Sequence, residues 1–445
     1  MSRSALPNRR WIAVAVVLGT LAGTFARAAT APPKPTNLSY LYDAFDNSFP
    51  RPVARQLDPA RWVRKIGHNP REAANVDEND QVRLPSTWWQ PRVGFVPVTA
   101  EQMLAGPGPG HGPAPGRWQV TKAKTQGVTP GFFVKDASGK TFILKFDPPD
   151  HPEMASSADV IVSHLFWAAG YNVPDNAIVT FRAESLDVAP NASVTDASGR
   201  KRPMSREDLT RILGRVRPQP DGSYRAMSSR LLGGKNLGPF LYEGRRRDDP
   251  EDLIPHECRR ELRGMWPMAA WLNHSDVRCA NTLDMWVTEG GRSFVRHHLI
   301  DFGACIGSGS TAAHDYATGT EYYMDYSVAT EQAVTLGLKS FAWESAVDPK
   351  LPTVGFIDAD HFDPKTWRPD YPNPAFDERT DRDVRWGARI VTGFSDDMIR
   401  AAVGAGMLSD PRAADYLTGV LIQRRDLIAH AWSTAASVAV TPYHP

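Results

Sequence analysis

His274-Ser-Asp276-Val-Arg278-Cys-Ala-Asn281, with Asp301-Phe-Gly303 further on, is the stretch on which the reading of this chain turns. Between the two lie Thr282–Val287 and Phe294–Ile300, strand-like runs around the turn Thr288-Glu-Gly-Gly-Arg292. Asn281 stands nine residues before Gly290 and Asp301 ten after Gly291. A hairpin closed by that turn places Asn281 and Asp301 roughly opposite each other at its open end. Gly303 then frees the backbone to leave the strand. An amide, a carboxylate and the nearby carboxylate of Asp276 form a set of hard oxygens suited to Mg²⁺ and phosphate.

Upstream of these residues, the pattern from Arg117 is that of strands. Trp118–Lys124 alternates, Thr125-Gln-Gly-Val-Thr-Pro-Gly131 turns, Phe132–Lys135 returns, and Asp136-Ala-Ser-Gly139 leads into Thr141–Phe146. On that last strand Phe142, Leu144 and Phe146 share one face, and Lys145 shares the other with Ile143. Lys145 is therefore either exposed at an edge or paired with an anion in a cleft. Ala155–Ala169 reads as a helix, with Ser156 or Ser157 as cap, Gly170 at its end and Pro174 beyond. Asp159 is the one charge on a face shared with Val162, Phe166 and Ala169. Burying it is costly without a cation, and Lys145 is the natural partner. Three antiparallel strands and a helix make a small α+β lobe.

His-x-Asp-x-x-x-x-Asn followed by Asp-Phe-Gly resembles the catalytic and metal motifs of the protein-kinase fold. The resemblance implies an α+β, bilobal protein: a small antiparallel-sheet N-lobe with one helix over residues 117–226, and a larger, mainly helical C-lobe over 227–445. It implies ATP and Mg²⁺ as cofactors. Asp276 would accept the proton of an attacking hydroxyl, Arg278 would neutralise the transferred phosphoryl group, and His274 would brace the loop. Asn281 and Asp301 would hold Mg²⁺. Lys145 and Asp159 would form the strand-lysine/helix-acid pair, with Asp in place of the usual Glu and Glu153 as the substitute. Gly127 and Gly131 stand where a phosphate-covering loop belongs, although Gly127-Val-Thr-Pro-Gly131 lacks the G-x-G-x-x-G spacing. That loop, the Ile-Leu-Lys-Phe strand and Ala-Ala-Gly-Tyr-Asn-Val-Pro174 are more similar to HipA-type and phosphoinositide-kinase-like enzymes. No Ala-Pro-Glu follows. The resemblance covers residues 117–305 by motif and the C-terminal helices by position.

The rest of the chain frames this reading. Its 445 residues are 42% hydrophobic and 23% charged, with 13 Trp and 18 Phe, enough for a large core and unlike a disordered or fibrous chain. A net charge of +1 excludes the basic field of a nucleic-acid binder. The high counts of Pro (37) and Gly (34) predict long loops and inserted turns. Arg3, Arg9 and Arg10 precede the apolar run Trp11–Phe25, and Ala26-Arg27-Ala28 forms a small-x-small site. This is the pattern of a secretory signal over residues 1–28, with an uncleaved anchor as the alternative; Arg9-Arg10 also permits twin-arginine export. Those residues carry four Arg and no acid, so the remainder has a charge of −3 and no stable membrane span. The expected location is periplasmic or secreted. Cys258, Cys279 and Cys305 allow one bridge at most, and Cys279 and Cys305, each beside a candidate motif, could approach one another.

Residues 29–116 read as an N-terminal arm that packs against something without forming a domain, ending in the linker Gly106–Gly116. Ser185–Arg225 reads as a polar insertion. Pro255 begins a helix that runs to about Leu272 with a kink at Pro267, and Ser395–Ala436 is helical. Arg245-Arg-Arg247 with Asp248-Asp249 reads as a self-neutralised loop, and His297 and His298 face opposite sides of the hairpin. The leading expectation is an exported atypical kinase that transfers the ATP γ-phosphate to a hydroxyl acceptor, a protein Ser/Thr or a small molecule. Spore-coat and Golgi secreted kinases are the similar precedents. The alternative is a non-catalytic nucleotide- or ligand-binding module of the cell envelope, since exported compartments are poor in ATP. An aminoglycoside-type small-molecule phosphotransferase is the third reading.

Overall fold

The computed structural model describes residues 31–38, 40–67, 70–108, 112–124, 130–195 and 199–432. The export signal read over residues 1–28, and Gly127, lie outside them. The segment before the sheet carries four short helices: α1 (Tyr40–Ser48), α2 (Pro50–Gln56), α3 (Pro59–Ile66) and α4 (Ala100–Ala105). Pro50 and Pro59 open their helices in the first turn, where a missing N–H costs nothing. Trp88 and Trp89 from this segment are 5% and 2% exposed, inside the main core. The arm therefore packs, as its aromatics suggest.

β1 (Trp118–Ala123), β2 (Gly131–Lys135) and β3 (Thr141–Lys145) pair antiparallel, with Gly131 opposite Lys145. They are the middle of a larger sheet. After α5 (Met154–Ala168) come β4 (Asn176–Phe181), β5 (Leu186–Thr195), β6 (Lys201–Pro203), α6 (Arg206–Leu213) and β7 (Tyr224–Arg230). The seven strands lie in the order β4-β7-β3-β2-β1-β5-β6, with β5 parallel to β1. The stretch Ser185–Arg225 is thus built into the sheet and is no insertion upon it. Its polarity misleads because β7 buries polar groups: Arg225 donates to the Ser157 hydroxyl (2.9 Å) and the Gly406 carbonyl (2.6 Å), beside Asp147. One sheet face packs on α6 through Leu209 and Leu213.

α5 is buried nearly all round, and every residue from Met154 to Phe166 is inside. Ser156 and Ser157 do not cap it. Asp147 does so from a distance, accepting from the Ser156 N–H (2.8 Å) and hydroxyl (2.6 Å), which supplies a partner for a first-turn donor.

β8 (Lys235–Asn236) joins the later hairpin as a third strand. The single helix expected over residues 255–272 is broken: a 3₁₀ turn at His256–Cys258, then α7 (Arg260–Arg263) and α8 (Met265–Trp271). Arg259 is extended (φ −92°, ψ 131°), which separates the 3₁₀ turn from α7, and α7 gives way to α8 at Gly264, in the turn before Pro267, whose missing N–H cannot bond the Arg263 carbonyl. β9 (Thr282–Glu289) and β10 (Arg292–Leu299) form the hairpin with Thr282 opposite Leu299. Its two-residue turn has positive φ at both Gly290 (57°) and Gly291 (78°), the twist that suits a tight hairpin.

α9 (Tyr326–Val334), α10 (Pro374–Asp377), α11 (Asp381–Thr392), α12 (Asp396–Ala405) and α13 (Pro411–Trp432) complete the chain. The fold is α+β, a large sheet and a mainly helical remainder, joined by a core that runs from Trp88 and α5 to α8, α11 and α13. No helix among the described residues is long and apolar enough to cross a membrane.

Candidate active site

Lys145 Nζ lies 3.0 Å from Asp159 Oδ2 and 2.7 Å from Asp301 Oδ1, joining β3, α5 and the end of the hairpin. Asp159 is 2% exposed and fully answered: its other oxygen accepts from the Asn176 amide (2.9 Å) and the Phe302 N–H (3.4 Å). Burial alone would drive the Lys145 ammonium towards neutrality; the two carboxylates outweigh it and raise the pKa above its ordinary value. Lys145 in turn holds Asp301 below the usual carboxylate range, whereas desolvation lifts the deeper Asp159. The Asp301 side chain is 47% exposed, so water screens its part of the cluster. Glu153 is no substitute for Asp159. Its carboxylate accepts from the Ser409 N–H at 2.8 Å.

Gly131 lies against this lysine for a steric reason. A Cβ there would come 2.2 Å from the Leu144 carbonyl oxygen, so the close pairing of β2 and β3 at Lys145 needs glycine.

Asp276 sits on the other side of Asp301. Asn281 donates its amide to Asp276 Oδ2 (2.8 Å) and to the Asp276 carbonyl (2.8 Å), and Arg278 Nε lies 2.6 Å from Asp276 Oδ1. Burial raises the Asp276 carboxyl to about 6, against the opposing pull of Arg278 and Asn281. The hairpin brings these groups to Asp301 as its register dictates, with the Ile300 N–H donating to the Asn281 carbonyl (3.0 Å). The turn out of the strand is made by Asp301 itself, at φ +64°, a left-handed backbone that a carboxylate residue seldom adopts. Gly303 has no such φ, and a Cβ there would meet only ordinary contacts, so the glycine is not what frees the chain.

His274 is buried and kept neutral, pushed down to about 3 by desolvation. Its ring packs edge-on against Phe166 and Phe302, which themselves stack at 5.1 Å. Its Nδ1 lies 3.1 Å from Cys305 Sγ. Cys279 instead donates to Asp43 of α1 at 2.7 Å, and both thiols are free, so the two do not form the bridge that their neighbouring motifs suggested. His297 pairs with Asp284 (2.6 Å) in the hairpin core, and the Arg246 guanidinium lies near the same acid (3.6 Å), while Asp249 donates its N–H to the Arg246 carbonyl (3.0 Å).

The structure adds residues that the sequence reading missed. Lys124 approaches Lys145, Asp301 and Asp159, and burial together with the Lys145 charge lowers its ammonium to about 8. A β-bulge between Val120 and Lys122 re-aims it: strict alternation would place Lys124 on the Val120 core face, whereas Ala123 takes that face and Lys124 the other. Asp370 accepts from the Ser275 hydroxyl (3.0 Å), Tyr371 lies under the Arg278 guanidinium (5.6 Å), and Asp43 approaches Arg278 at 3.9 Å. The first of these had a local sign, a lysine beside a glycine loop; the others come from remote segments.

No cluster of three or more His, Cys, Asp or Glu among the described residues is arranged to hold a metal. Mg²⁺, however, is commonly held by one or two protein oxygens together with nucleotide phosphates, and the side chains of Asp301 and Asn281 carry oxygens of that kind. A cavity of about 380 Å³ lies elsewhere, behind Asn273.

The solved structures that resemble this chain include kinases. One is the Helicobacter pylori proinflammatory kinase CtkA, 10% identical, with 72% of this chain and 97% of that chain covered at a TM-score of 0.36. Another is the golgi casein kinase, 9% identical, with 76% of each chain covered at a TM-score of 0.33. No family model matches the chain, and no curated protein does. At this level of likeness the functional reading rests on the residues themselves.

Proposed function

We propose that this chain is an exported, atypical protein-kinase-like phosphotransferase, which moves the ATP γ-phosphate to a hydroxyl of a protein or small molecule. The observation that carries it is Lys145, shared between the buried Asp159 and the hairpin acid Asp301, with Asp276 and Asn281 alongside. Phosphoryl transfer needs little covalent help. Placement and neutralisation of charge supply most of the catalysis. Lys145, fixed by Asp159, would offer its ammonium to phosphate oxygens, and Lys124 adds a second cation beside it. Asp301 and Asn281 would hold Mg²⁺, which when bound offsets the charge on the phosphates. Asp276 would take the acceptor's proton, and Arg278 would meet the transferred group. The basic and apolar start of the chain supports export.

Nucleotide binding is testable by thermal stability with and without Mg²⁺ and ATP. At nucleotide about 100-fold above Kd the wild type gains about 2.7 kcal/mol, a gain that needs Mg²⁺ and disappears in Asp301→Ala. No gain at millimolar nucleotide sinks the ATP reading.

The pH profile tests the base. Because Asp276 must be ionised to accept a proton, kcat/KM should fall as pH drops through about 6 and level off above it. Arg278 opposes the burial that raises this group, so Arg278→Ala should move the acidic limb to higher pH as well as slow the reaction. A limb that stays in place shows that another group titrates.

One observation favours the non-catalytic reading. Both Asp276 oxygens are engaged, by Arg278 and by Asn281, as in a carboxylate that only holds a loop. A binding module would be indifferent to loss of Asp276; an enzyme would not.

A further inference from the structure

The cavity of about 380 Å³ behind Asn273 falls within the size range of small-molecule sites. Most of its walls come from the segment between the hairpin and α10, and they are rich in aromatic rings. Tyr316 and Phe356 meet at 4.3 Å, Phe341 and Trp343 stack at 5.9 Å, and the Trp367 indole donates to Asn273 Oδ1 at 2.8 Å.

Two polar groups on this lining make no side-chain hydrogen bond among the described residues. Trp343 Nε1 is a buried donor with no acceptor. The half-buried Glu321 carboxylate feels the charge of Arg368 but accepts no hydrogen bond. A buried unmade hydrogen bond costs roughly 1–3 kcal/mol, so the Trp343 N–H calls for an acceptor, and the partly exposed Glu321 carboxylate can take a donor from the same ligand.

The charges narrow it further. Glu331 is already paired with Lys339 (2.6 Å), and Asp358 with His361 (2.5 Å). Arg368 is likewise paired with Asp325 (2.5 Å); the charge of Arg424, whose donors go to the Trp271, Asp358 and Ala270 carbonyls, disfavours a cation, while Glu321 disfavours an anion. Flat aromatic faces suit an occupant with an apolar ring face. Hydroxyl groups, each both donor and acceptor, answer Trp343 and Glu321 together.

We infer that this cavity binds a neutral polyhydroxylated ring, of the pyranose or cyclitol class. The site stands apart from the Lys145 cluster and holds whether or not that cluster turns over ATP.

Calorimetric titration of the full chain with D-glucose, N-acetyl-D-glucosamine and myo-inositol tests it, with ethanolamine as the cationic comparison. At least one polyol should bind with a single site. Trp343→Phe, which keeps a ring and removes the N–H, and Glu321→Gln, which keeps the shape and removes the charge, should each weaken that binding roughly tenfold. Unchanged melting temperatures confirm that both variants fold, and either variant alone suffices if the other does not. Absence of heat with every polyol at about 10 mM, binding untouched by the variants, or binding of ethanolamine alone overturns the inference.

Discussion

Asp276→Asn should lower turnover by about 10²–10⁴-fold, the range that a positioned proton acceptor contributes, while the Mg²⁺- and ATP-dependent rise in stability persists. The substitution keeps volume and removes only the charge. Lys145, Asp159 and Asp301, which meet at 3.0 and 2.7 Å, are left in place to receive the nucleotide. Turnover against hydroxyl acceptors and thermal stability, measured on the same preparations, separate the two effects. Equal loss of both would mean that Asp276 shapes the pocket, and no loss of either would mean that it takes no part in chemistry.

Asp383→Ala should cost about 3–5 kcal/mol of folding stability, the largest single effect expected away from the site. Asp383 is 0% exposed and lies between two buried guanidinium groups, Arg260 Nε at 2.7 Å and Arg263 Nη1 at 3.4 Å. The same carboxylate accepts from the Thr380 N–H (2.8 Å) and hydroxyl (2.9 Å), closing a capping box on α11. Alanine leaves Arg263 charged in the core without this carboxylate and Arg260 with Asp80 alone, and it removes one half of the capping box, the Thr380 hydroxyl still accepting from the N–H of residue 383. Asp383→Asn, which can still accept at the cap, should lose less. Denaturant midpoints measure the difference, and a loss below about 1 kcal/mol would mean that water reaches the arginines.

The parts of the site that the sequence disclosed are those with a local physical cause. Thr282–Leu299 alternates around two glycines, so its register, and with it the meeting of Asn281 and Ile300, follows from period and turn alone. Asp159 is a charge on an apolar helix within reach of a lysine on a neighbouring strand, and burial demands that pairing.

What stayed hidden depends on geometry that no short stretch encodes. A bulge in β1 decides which face Lys124 takes. Asp43 and Asp370 reach the loop around Arg278 from 235 residues before it and 92 after it, with nothing nearby to mark them. Ser185–Arg225 reads as a polar insertion in part because Arg225, buried at the start of β7, has its partners in other elements: Asp147, Ser157 and Gly406. Alternation reports faces only where one face is apolar, and here it is not.

The arm that carries Trp88 and Trp89 has a mechanical consequence. Trp89 donates its indole N–H to the Ala169 carbonyl at the end of α5 (2.8 Å) and packs on Trp386 of α11 (5.1 Å), while Trp88 stacks on His297 of the hairpin (3.5 Å). One strap of chain is thus fastened to the helix that holds Asp159, to the hairpin that ends in Asp301, and to the helical scaffold behind them. A hinge that parted α5 from the hairpin and α11 would have to draw two indoles out of a packed interior before it could swing. The distance across Lys145 and Asp301 is accordingly set by a splint, and access to it falls to side chains and loops at the rim rather than to a gaping of the whole molecule.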